Sequence, residues 1–479
     1  MRLTYNEIAE LLCLAHIGED RYLTCAATDS REVVPGALFV CVPGSRVDGH
    51  DFARDAEDAG ASALLASRQV SGINAPVLYV ADTVKALGRI AAFWREKTRA
   101  RVVGVTGTAG KTTVKELLAR VLAVRGKTAR NAMNYNNQIG MPRAVLSADG
   151  DEDFWVMETG ISRAGDMEEL ARILRPNIGI VLNVGAGHLE GLGEKGVAWH
   201  KTRLLSYLRD NGNTQCLGLV SADYPDLARE AKKSGAPVRF FSVADQRAPY
   251  YGRYEGRTGG YGRYRLKLQG EECDVRAPFY GEYGAENAIA VAAAAHLLGL
   301  TTGEIAEGFA QAALEGRFTT SRLGIWEIID DTYNANPLSV RKMLAAGLEA
   351  AEGKTFVPVL GEMLELGARA AEEHLALGRH LAELCPAAVL WKGGHAEDVR
   401  RGLHDGGYDC PWYTVNGSAA LLAAWNELLA MPAVGGTQGG VVLFKGSRGN
   451  RLEELLAAFQ AGMRQNICNA EVGERADVL

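Results

Sequence analysis

The chain has 479 residues, with 52 lysines and arginines against 58 aspartates and glutamates. At roughly 150 residues per domain, this length predicts about three domains and excludes a single small module. Hydrophobic residues make up 47% and charged residues 23%, which excludes a disordered or fibrous chain. The formal net charge of −6 provides no positive field for non-specific nucleic-acid binding and favours an enzyme that acts on small molecules.

The beginning of the chain indicates where the protein works. Residues 1–20 carry four acidic side chains and lack a continuous apolar stretch, so they do not resemble a secretory signal and we expect a cytoplasmic protein. The uncharged stretch 287–300 is shorter than the ~18 apolar residues of a membrane span and predicts a buried alanine-rich helix. The eight cysteines form no C-x-x-C pair, which argues against a zinc site and a disulfide scaffold.

Taken in chain order, the predicted elements give an α/β protein of three domains. Residues 1–98 alternate short apolar runs with helix-like stretches, which predicts a small α/β domain. A β-branched run at 102–105 opens a second domain, 99–316, whose further strands at 154–157 and 178–184 predict a mostly parallel sheet. Alternating strands and helices from 325 to 444 predict a C-terminal Rossmann-like α/β domain at 317–479.

One segment, 247–265, is rich in tyrosine, arginine and glycine. Tyrosine and arginine suit strands and glycine suits turns, which predicts a solvent-exposed β-hairpin or meander. Interleaved aromatic and basic side chains also suit a platform for single-stranded nucleic acid. The acidic balance of the rest of the chain favours the hairpin.

The strongest local signal is the sequence GVTGTAGKTT at 104–113. A glycine-rich turn between a strand and a helix lets backbone N–H groups and the helix N-terminus bind phosphate, with Lys111 on the outer phosphates and the Thr112 hydroxyl on Mg²⁺. Val105 stands where the general phosphate-loop pattern has glycine, so the match is a variant. A dinucleotide-binding G-x-G-x-x-G motif does not fit, because Gly104 and Gly107 are three positions apart. The motif therefore predicts a nucleoside triphosphate site.

Motifs along nearly the whole chain resemble the ATP-dependent Mur ligases of peptidoglycan synthesis. TGTAGKT at 106–112 resembles their phosphate loop, and TDSR at 28–31, PGALFV at 35–40 and DGHDF at 48–52 resemble their UDP-sugar domain. NYNNQIGMP at 134–142, Glu158, HLEG at 188–191 and Lys201 are similar to the central active site. DDTYNANP at 330–337, LGEMLELG at 360–367 and KGSR at 445–448 resemble the third domain of the family member that adds D-alanyl-D-alanine.

The resemblance implies roles for individual residues in ATP-dependent ligation. It implies a catalytic role for Lys111, Lys201, His188 and Arg317. It places ATP against Thr106, Gly107, Thr108, Gly110, Lys111, Thr112, Thr113, Asn137, Asn287, Arg317 and Asp331. It places one Mg²⁺ on Thr112 and Glu158 and a second on His188 and Lys201, with Lys201 carrying a carbamate. It assigns substrate binding to Asp29, Ser30, Arg31, Asp48, His50, Asn334, Asn336, Lys445 and Arg448.

The sequence departs from the family at one place. The family's motif is G-x-H-N-x-x-N, and in this chain Tyr283 and Gly284 replace its histidine and first asparagine. The replacement puts one adenine contact in question. For single residues the bland interpretations are a solvated carboxylate for Glu158, a packing histidine for His188 and a helix-surface lysine for Lys201.

The resemblance implies a monomeric, Mg²⁺-dependent ligase. Such an enzyme joins D-alanyl-D-alanine to UDP-N-acetylmuramoyl-tripeptide through an acyl phosphate and needs neither nucleic acid nor a membrane span. Two alternatives stay open: the sister ligase that adds the third amino acid, and a phosphate-loop ATPase that uses nucleotide only as a conformational switch. The absence of a D-N-P-R motif argues against the sister ligase.

Overall fold

The computed structural model describes residues 1–44, 47–132, 135–185, 192, 195–210, 216–312, 318–436 and 438–476. It contains three main sheets, and each sheet lies within one of the three predicted domain ranges. The boundaries at 98/99 and 316/317 stay a prediction. The predicted α/β class with mostly parallel sheets is confirmed.

The first range holds a four-stranded parallel sheet in the order β3-β4-β5-β6. A short antiparallel pair, β1 and β2, precedes it. The elements are β1 (Leu3–Thr4), α1 (Tyr5–Leu12), β2 (Tyr22–Leu23), β3 (Cys25–Ala27), β4 (Ala37–Val40), α2 (Ala53–Asp58), β5 (Ala63–Ala66), β6 (Val77–Tyr79) and α3 (Thr83–Lys97).

The second range holds a nine-stranded sheet in the order β15-β14-β13-β12-β11-β10-β7-β9-β8. Its elements are β7 (Arg101–Thr106), α4 (Lys111–Ala123), β8 (Thr128–Arg130), α5 (Gly140–Ser147), β9 (Phe154–Glu158), α6 (Asp166–Leu174), β10 (Ile178–Val181), α7 (Gly196–Thr202), β11 (Leu217–Ser221), α8 (Pro225–Lys232), β12 (Val238–Ser242), β13 (Tyr250–Thr258), β14 (Tyr261–Leu268), β15 (Glu271–Ala277), α9 (Glu282–Leu297) and α10 (Thr302–Ala310). The strands from β8 to β13 are parallel, and β14 and β15 are antiparallel additions.

The third range holds a six-stranded sheet in the order β16-β17-β21-β18-β19-β20, parallel except for β16. Its elements are β16 (Thr319–Leu323), β17 (Trp326–Asp331), α11 (Pro337–Ala351), β18 (Thr355–Gly361), α12 (Ala370–Leu384), β19 (Val389–Lys392), α13 (Ala396–Asp405), β20 (Trp412–Thr414), α14 (Ser418–Leu429), α15 (Pro432–Gly435), β21 (Gly440–Lys445) and α16 (Leu452–Ala476). Asp331 and Lys445 end two neighbouring parallel strands, at the edge where α/β sheets bind ligands.

The tyrosine-rich segment forms the hairpin of β13 and β14, as one of its two interpretations predicts. The expectation that the hairpin is solvent-exposed is wrong for its inner face. Tyr250 and Tyr264 are fully buried, and Gly252 lies so close to α9 that a Cβ there would be 2.8 Å from the Cβ of Ile289. The stacking surface that a single-stranded nucleic acid would need is therefore partly consumed by core packing.

The first and second ranges share one apolar core. Trp94 of α3 packs in a cluster that includes Leu146 of α5 and Leu170 of α6, and its indole N–H donates to the carbonyl of Ala148 at 3.2 Å. Arg95 is buried beside it and donates from Nε to the Leu174 carbonyl at 2.9 Å, which pairs an orphan carbonyl at the end of α6.

Helix α9 is the buried alanine-rich helix that the sequence predicts, with Ala288 to Ala295 shielded from solvent. Among the residues that the structure describes, no helix combines the length and apolar content that a bilayer crossing requires.

Candidate active site

The phosphate loop, residues 107–110, joins the end of β7 to the first turn of α4. Five apolar side chains at helical spacing from Val114 to Leu122 are fully buried and fix α4 against the sheet. Lys111 begins the helix, and its ammonium group donates to the carbonyls of Gly107 at 2.9 Å and Thr108 at 3.4 Å. The loop, the helix N-terminus and this cation together form an anion-binding site.

The two predicted Mg²⁺ ligands on this side are adjacent. The Thr112 hydroxyl donates to Glu158 Oε2 at 2.6 Å, and Asn136 Nδ2 donates to Glu158 Oε1 at 2.6 Å. Asn131 holds the backbone of Glu158 through two hydrogen bonds, so the carboxylate is fixed at the end of β9. Glu158 is 2% exposed, which contradicts the interpretation of a solvated carboxylate.

Lys201 lies on α7 with 2% of its surface exposed, so the interpretation as a helix-surface lysine is wrong. Its ammonium group donates to the Gly107 carbonyl at 3.0 Å, directly beneath the phosphate loop. Burial lowers the pKa of Lys201 well below its usual value, and the nearby charge of Lys111 lowers it further, while Glu158 opposes the change. The neutral amine of Lys201 is thus more favoured than that of an exposed lysine. His188 and Arg317 lie outside the described residues.

The rest of the predicted ATP set divides in two. Thr108, Gly110, Thr113, Asn137 and Asn287 line the same cavity as Lys111. Thr106 does not: its side chain is buried at the end of β7, and its carbonyl accepts the Leu182 N–H at 2.9 Å. Gly107 contributes its carbonyl to both lysines rather than surface to the cavity.

Residues of the third range, 317–479, form the wall of the cavity opposite the phosphate loop. Asp331 Oδ2 lies 2.5 Å from the Lys445 ammonium group, which also donates to the Asn334 carbonyl at 2.9 Å. Asn336 caps α11 and donates from Nδ2 to the Thr108 carbonyl at 3.2 Å, so α11 touches the phosphate loop. The resulting cavity has a volume of about 610 Å³.

The predicted dipeptide residues have partners within the protein. Lys445 is 2% exposed and neutralised by Asp331, so a dipeptide carboxylate would compete with Asp331 for it. Arg448 is 61% exposed at the cavity edge, with its guanidinium 5.9 Å from the centre of the Tyr333 ring.

The residues predicted to bind the UDP-sugar are not brought to this cavity. Asp29 caps a 3₁₀ turn that contains Ser30 and pairs with Arg31 at 2.5 Å. Asp48 accepts from the buried ring of His50 at 2.6 Å, and the other ring nitrogen of His50 accepts the Ser67 N–H at 2.9 Å. Both ring nitrogens of His50 therefore have hydrogen-bond partners within the protein, and its substrate-binding role stays a prediction.

Comparison with known proteins identifies the family. Residues 23–95 match the Mur ligase family catalytic domain, 105–295 the Mur ligase middle domain and 316–448 the Mur ligase glutamate ligase domain. The UDP-N-acetylmuramoyl-tripeptide–D-alanyl-D-alanine ligase of Escherichia coli is 33% identical over 465 residues, covering 96% of this chain and 98% of that protein. The chain belongs to the Mur ligase family. The Mycobacterium tuberculosis ligase of the same name is 31% identical and covers 93% of this Mur ligase and 95% of its own length.

Solved structures of MurF superpose on most of this Mur ligase. MurF from Acinetobacter baumannii superposes with a TM-score of 0.85 at 27% identity, covering 96% of this chain and 99% of that chain. MurF from Thermotoga maritima in complex with ADP superposes with a TM-score of 0.78 at 27% identity, covering 92% and 98%.

The departure from the family motif at Gly284 coincides with a close steric contact in this Mur ligase. A Cβ at Gly284 would lie 2.1 Å from the hydroxyl of Tyr264, which donates to the carbonyls of Phe279 and Gly281. The hairpin tyrosine therefore occupies the space of an asparagine side chain. Tyr283 lines the cavity and donates from its hydroxyl to Met343 Sδ at 3.3 Å, joining α9 to α11.

Sequence reasoning missed a network beneath the phosphate loop. Asn183 accepts the Ala109 N–H at 2.8 Å and donates to Glu286 Oε2 at 3.1 Å. Glu286 is also paired with Lys342 of α11 at 2.6 Å. Glu286 stands next to Asn287 within a recognised motif, so its position was available, but its partners are 103 and 56 residues away.

Gly110 offers a test of the loop geometry. Its φ of +81° lies in the left-handed region, and a Cβ would lie 2.4 Å from Oδ1 of the buried Asn287. We expect Gly110→Ala to fold but to weaken ATP binding on the order of tenfold or more, because either the loop or Asn287 must move. Calorimetric titration with ATP measures the effect. The control is Gly235→Ala, which has a φ of +78° with no neighbour within 4 Å; equal losses in both variants would contradict the argument.

Proposed function

We propose that this Mur ligase joins D-alanyl-D-alanine to UDP-N-acetylmuramoyl-tripeptide and converts ATP to ADP and phosphate. The proposal rests on similarity over nearly the whole chain. UDP-N-acetylmuramoyl-tripeptide–D-alanyl-D-alanine ligases from several bacteria are 28–33% identical to it over at least nine-tenths of its length. The ADP complex of the Thermotoga maritima structure supports ATP as the nucleotide.

We infer that ATP occupies the cavity between the phosphate loop and α11. Lys111 supplies the positive charge for the outer phosphates, and the loop backbone supplies N–H donors. Asn287 lines the cavity from the second range for the adenine, and Asp331 lines it from the third range for the ribose. Asn137 lines the same cavity as a further ATP contact. Arg317, outside the described residues, stays a predicted phosphate contact.

The donor set fits Mg²⁺. Thr112 and Glu158 provide hard oxygen ligands 2.6 Å apart, held by Asn136 and Asn131. A second Mg²⁺ would be held by His188 and a carbamate on Lys201; the buried, deprotonation-prone amine fits that modification. When bound, the metal ions neutralise phosphate charge during phosphoryl transfer.

In the proposed reaction, the tripeptide carboxylate attacks the γ-phosphorus of ATP, ADP leaves, and an acyl phosphate forms. The neutral dipeptide amine then attacks the acyl carbon, the amide bond forms, phosphate leaves, and the proton lost by the nitrogen passes to the departing phosphate or to water. The first step brings two anions together and the second builds up negative charge on the acyl phosphate, and Lys111 offsets part of this charge. The contact of Asn336 with Thr108 brings α11 against the phosphate loop, and a closer approach of the third range during the reaction would limit hydrolysis of the acyl phosphate by water.

Substrate placement and assembly complete the proposal. Arg448 and the loop of Asn334 and Asn336 lie at the cavity for the dipeptide, and Lys445 acts mainly by fixing Asp331. The 28–50 region, including Arg31 and Asp48, is proposed for the UDP-sugar. A monomeric enzyme of the cytoplasm fits these small-molecule substrates.

A substrate comparison tests the function. With UDP-N-acetylmuramoyl-tripeptide and ATP, we expect phosphate release to require D-alanyl-D-alanine and to be far slower with single amino acids, because a two-residue site leaves polar groups unpaired around one residue. Phosphate release is measured with the dipeptide, with a free diamino acid and with neither. A preference for the diamino acid with the UDP-dipeptide would favour the sister ligase, and release without any acceptor would favour the switch ATPase.

A further inference from the structure

The tip of the β13–β14 hairpin carries an arginine that reaches out of the second range. Arg257 donates from Nη1 to both carboxylate oxygens of Glu327 at 3.1 and 3.0 Å, from Nη2 to the Ala350 carbonyl at 2.9 Å, and from Nε to Glu352 at 3.1 Å. These partners belong to the start of β17 and the end of α11. One guanidinium group thus binds two elements of the third range.

The Arg257 side chain is largely buried among side chains that fix its position. The side chain of Arg257 is only 19% exposed, and its guanidinium lies 5.2 Å from the centre of the Tyr280 ring. The Tyr280 hydroxyl donates to Glu327 Oε1 at 2.9 Å, and the Tyr280 ring packs edge-on against Phe318 at 4.5 Å. Phe318 lines the nucleotide cavity, so the contact supports a wall of the proposed site.

The two elements that Arg257 holds reach the cavity at their opposite ends. Strand β17 begins beside Glu327 and ends at Asp331, and α11 ends beside Ala350 and begins at the cap Asn336. At 3.3 Å per strand residue and 1.5 Å per helix residue, these ends lie about 13 Å and about 20 Å from the anchored ends. A rotation at the anchor therefore displaces Asp331 and Asn336 relative to the phosphate loop.

We propose that Arg257 is a positioning residue that sets the orientation of the third range over the phosphate loop. The hairpin base is packed in the core through Tyr250, Gly252 and Tyr264, and the strand pairing shifts register after Tyr254 and resumes with Arg257 opposite Gly262, so the hairpin ties Arg257 to the central sheet. Because its three nitrogens donate to three different partners, Glu327, Ala350 and Glu352, the planar guanidinium group defines direction as well as distance, which an ammonium group does not.

Enzyme kinetics and small-angle X-ray scattering of the variant Arg257→Met test the inference. The kinetic measurement rests on the proposed function, and the scattering measurement does not. We expect kcat to fall about tenfold or more and the KM for ATP to rise, because small displacements of aligned groups are costly. We expect the KM for the UDP-substrate to change less, and Arg257→Lys to retain an intermediate kcat. We also expect small-angle X-ray scattering with ADP and Mg²⁺ to give a larger radius of gyration than for the unaltered protein.

The matched control is Arg253→Met on the same strand, because Arg253 is 51% exposed and pairs only with Glu255 two residues away among the contacts described. It should leave both measurements unchanged. Should Arg257→Met not fold, Glu327→Gln removes the same charge pair. Unchanged kinetics and scattering in a folded Arg257 or Glu327 variant, or equal losses in the control, would overturn the inference. Absence of ligase activity in the unaltered protein would refute the proposed function but leave the scattering test valid.

Discussion

Lys111→Ala is expected to remove ligation while the protein stays folded. The ammonium group of Lys111 donates to the loop carbonyls of Gly107 and Thr108, whereas α4 is held against the sheet by buried apolar side chains such as Val114 and Leu117. Loss of one preorganised charge at the transferring phosphoryl group commonly costs about 10²-fold or more in rate. Phosphate release and thermal unfolding of the purified variant measure the two expectations.

The control for this variant is Lys127→Ala. Lys127 follows α4, and its ammonium group pairs with Asp149 and Asp151 on the surface. Its loss should leave the rate of ligation unchanged, since surface ion pairs contribute little to stability. Near-normal turnover in folded Lys111→Ala would refute the assignment of the phosphate loop.

Lys201→Ala is expected to be nearly inactive and to recover part of its activity with added formate or acetate. Carbamate formation needs the neutral amine, and burial followed by the charge of Lys111 lowers the pKa of Lys201, so the neutral form is accessible at lower pH than for a free lysine. A carbamate adds a carboxylate that a small acid can replace in the space left by alanine. Rates at increasing acid concentration measure the rescue.

Lys201→Arg separates the carbamate from a simple positive charge. Arginine keeps the charge near the Gly107 carbonyl but forms no carbamate under these conditions, so we expect it to be as inactive as the alanine variant. Activity of Lys201→Arg, or of Lys201→Ala without added acid, would contradict the carbamate. Bicarbonate depletion of the unaltered enzyme should lower its rate for the same reason.

The parts of the fold that the sequence predicted are those with dense local signals. The phosphate loop and α4 follow from glycine, lysine and a helical apolar stripe within twenty residues, and β9 was placed because its apolar run ends at Glu158. The buried helix α9 followed from its alanine run. These predictions depend on residues that are close together in the sequence, so contacts with distant parts of the chain do not alter them.

The parts that were missed depend on distant partners. The substrate-binding role of Lys445 stays a prediction, but its ion pair with Asp331, 114 residues away in the chain, was not predicted. The replacement of the family asparagine by Gly284 had no visible reason until Tyr264 was found in its space. The catalytic role of Lys201 came from the resemblance and stays a prediction, whereas its burial beneath the phosphate loop could not be read from its neighbours in sequence. His188 and Arg317 stay predictions.

The shared core around Trp94 affects which recombination events between homologous chains would give a folded protein. Helix α3 belongs to the first range by chain position, yet its apolar face is covered by Leu146 of α5 and Leu170 of α6. A recombination event at residue 98 would therefore bring together α3 and helices that had not evolved with it, and would strip Arg95 of the carbonyls it pairs at the end of α6. A chimaera that takes residues 1–98 from a relative would therefore need matching surfaces on α5 and α6.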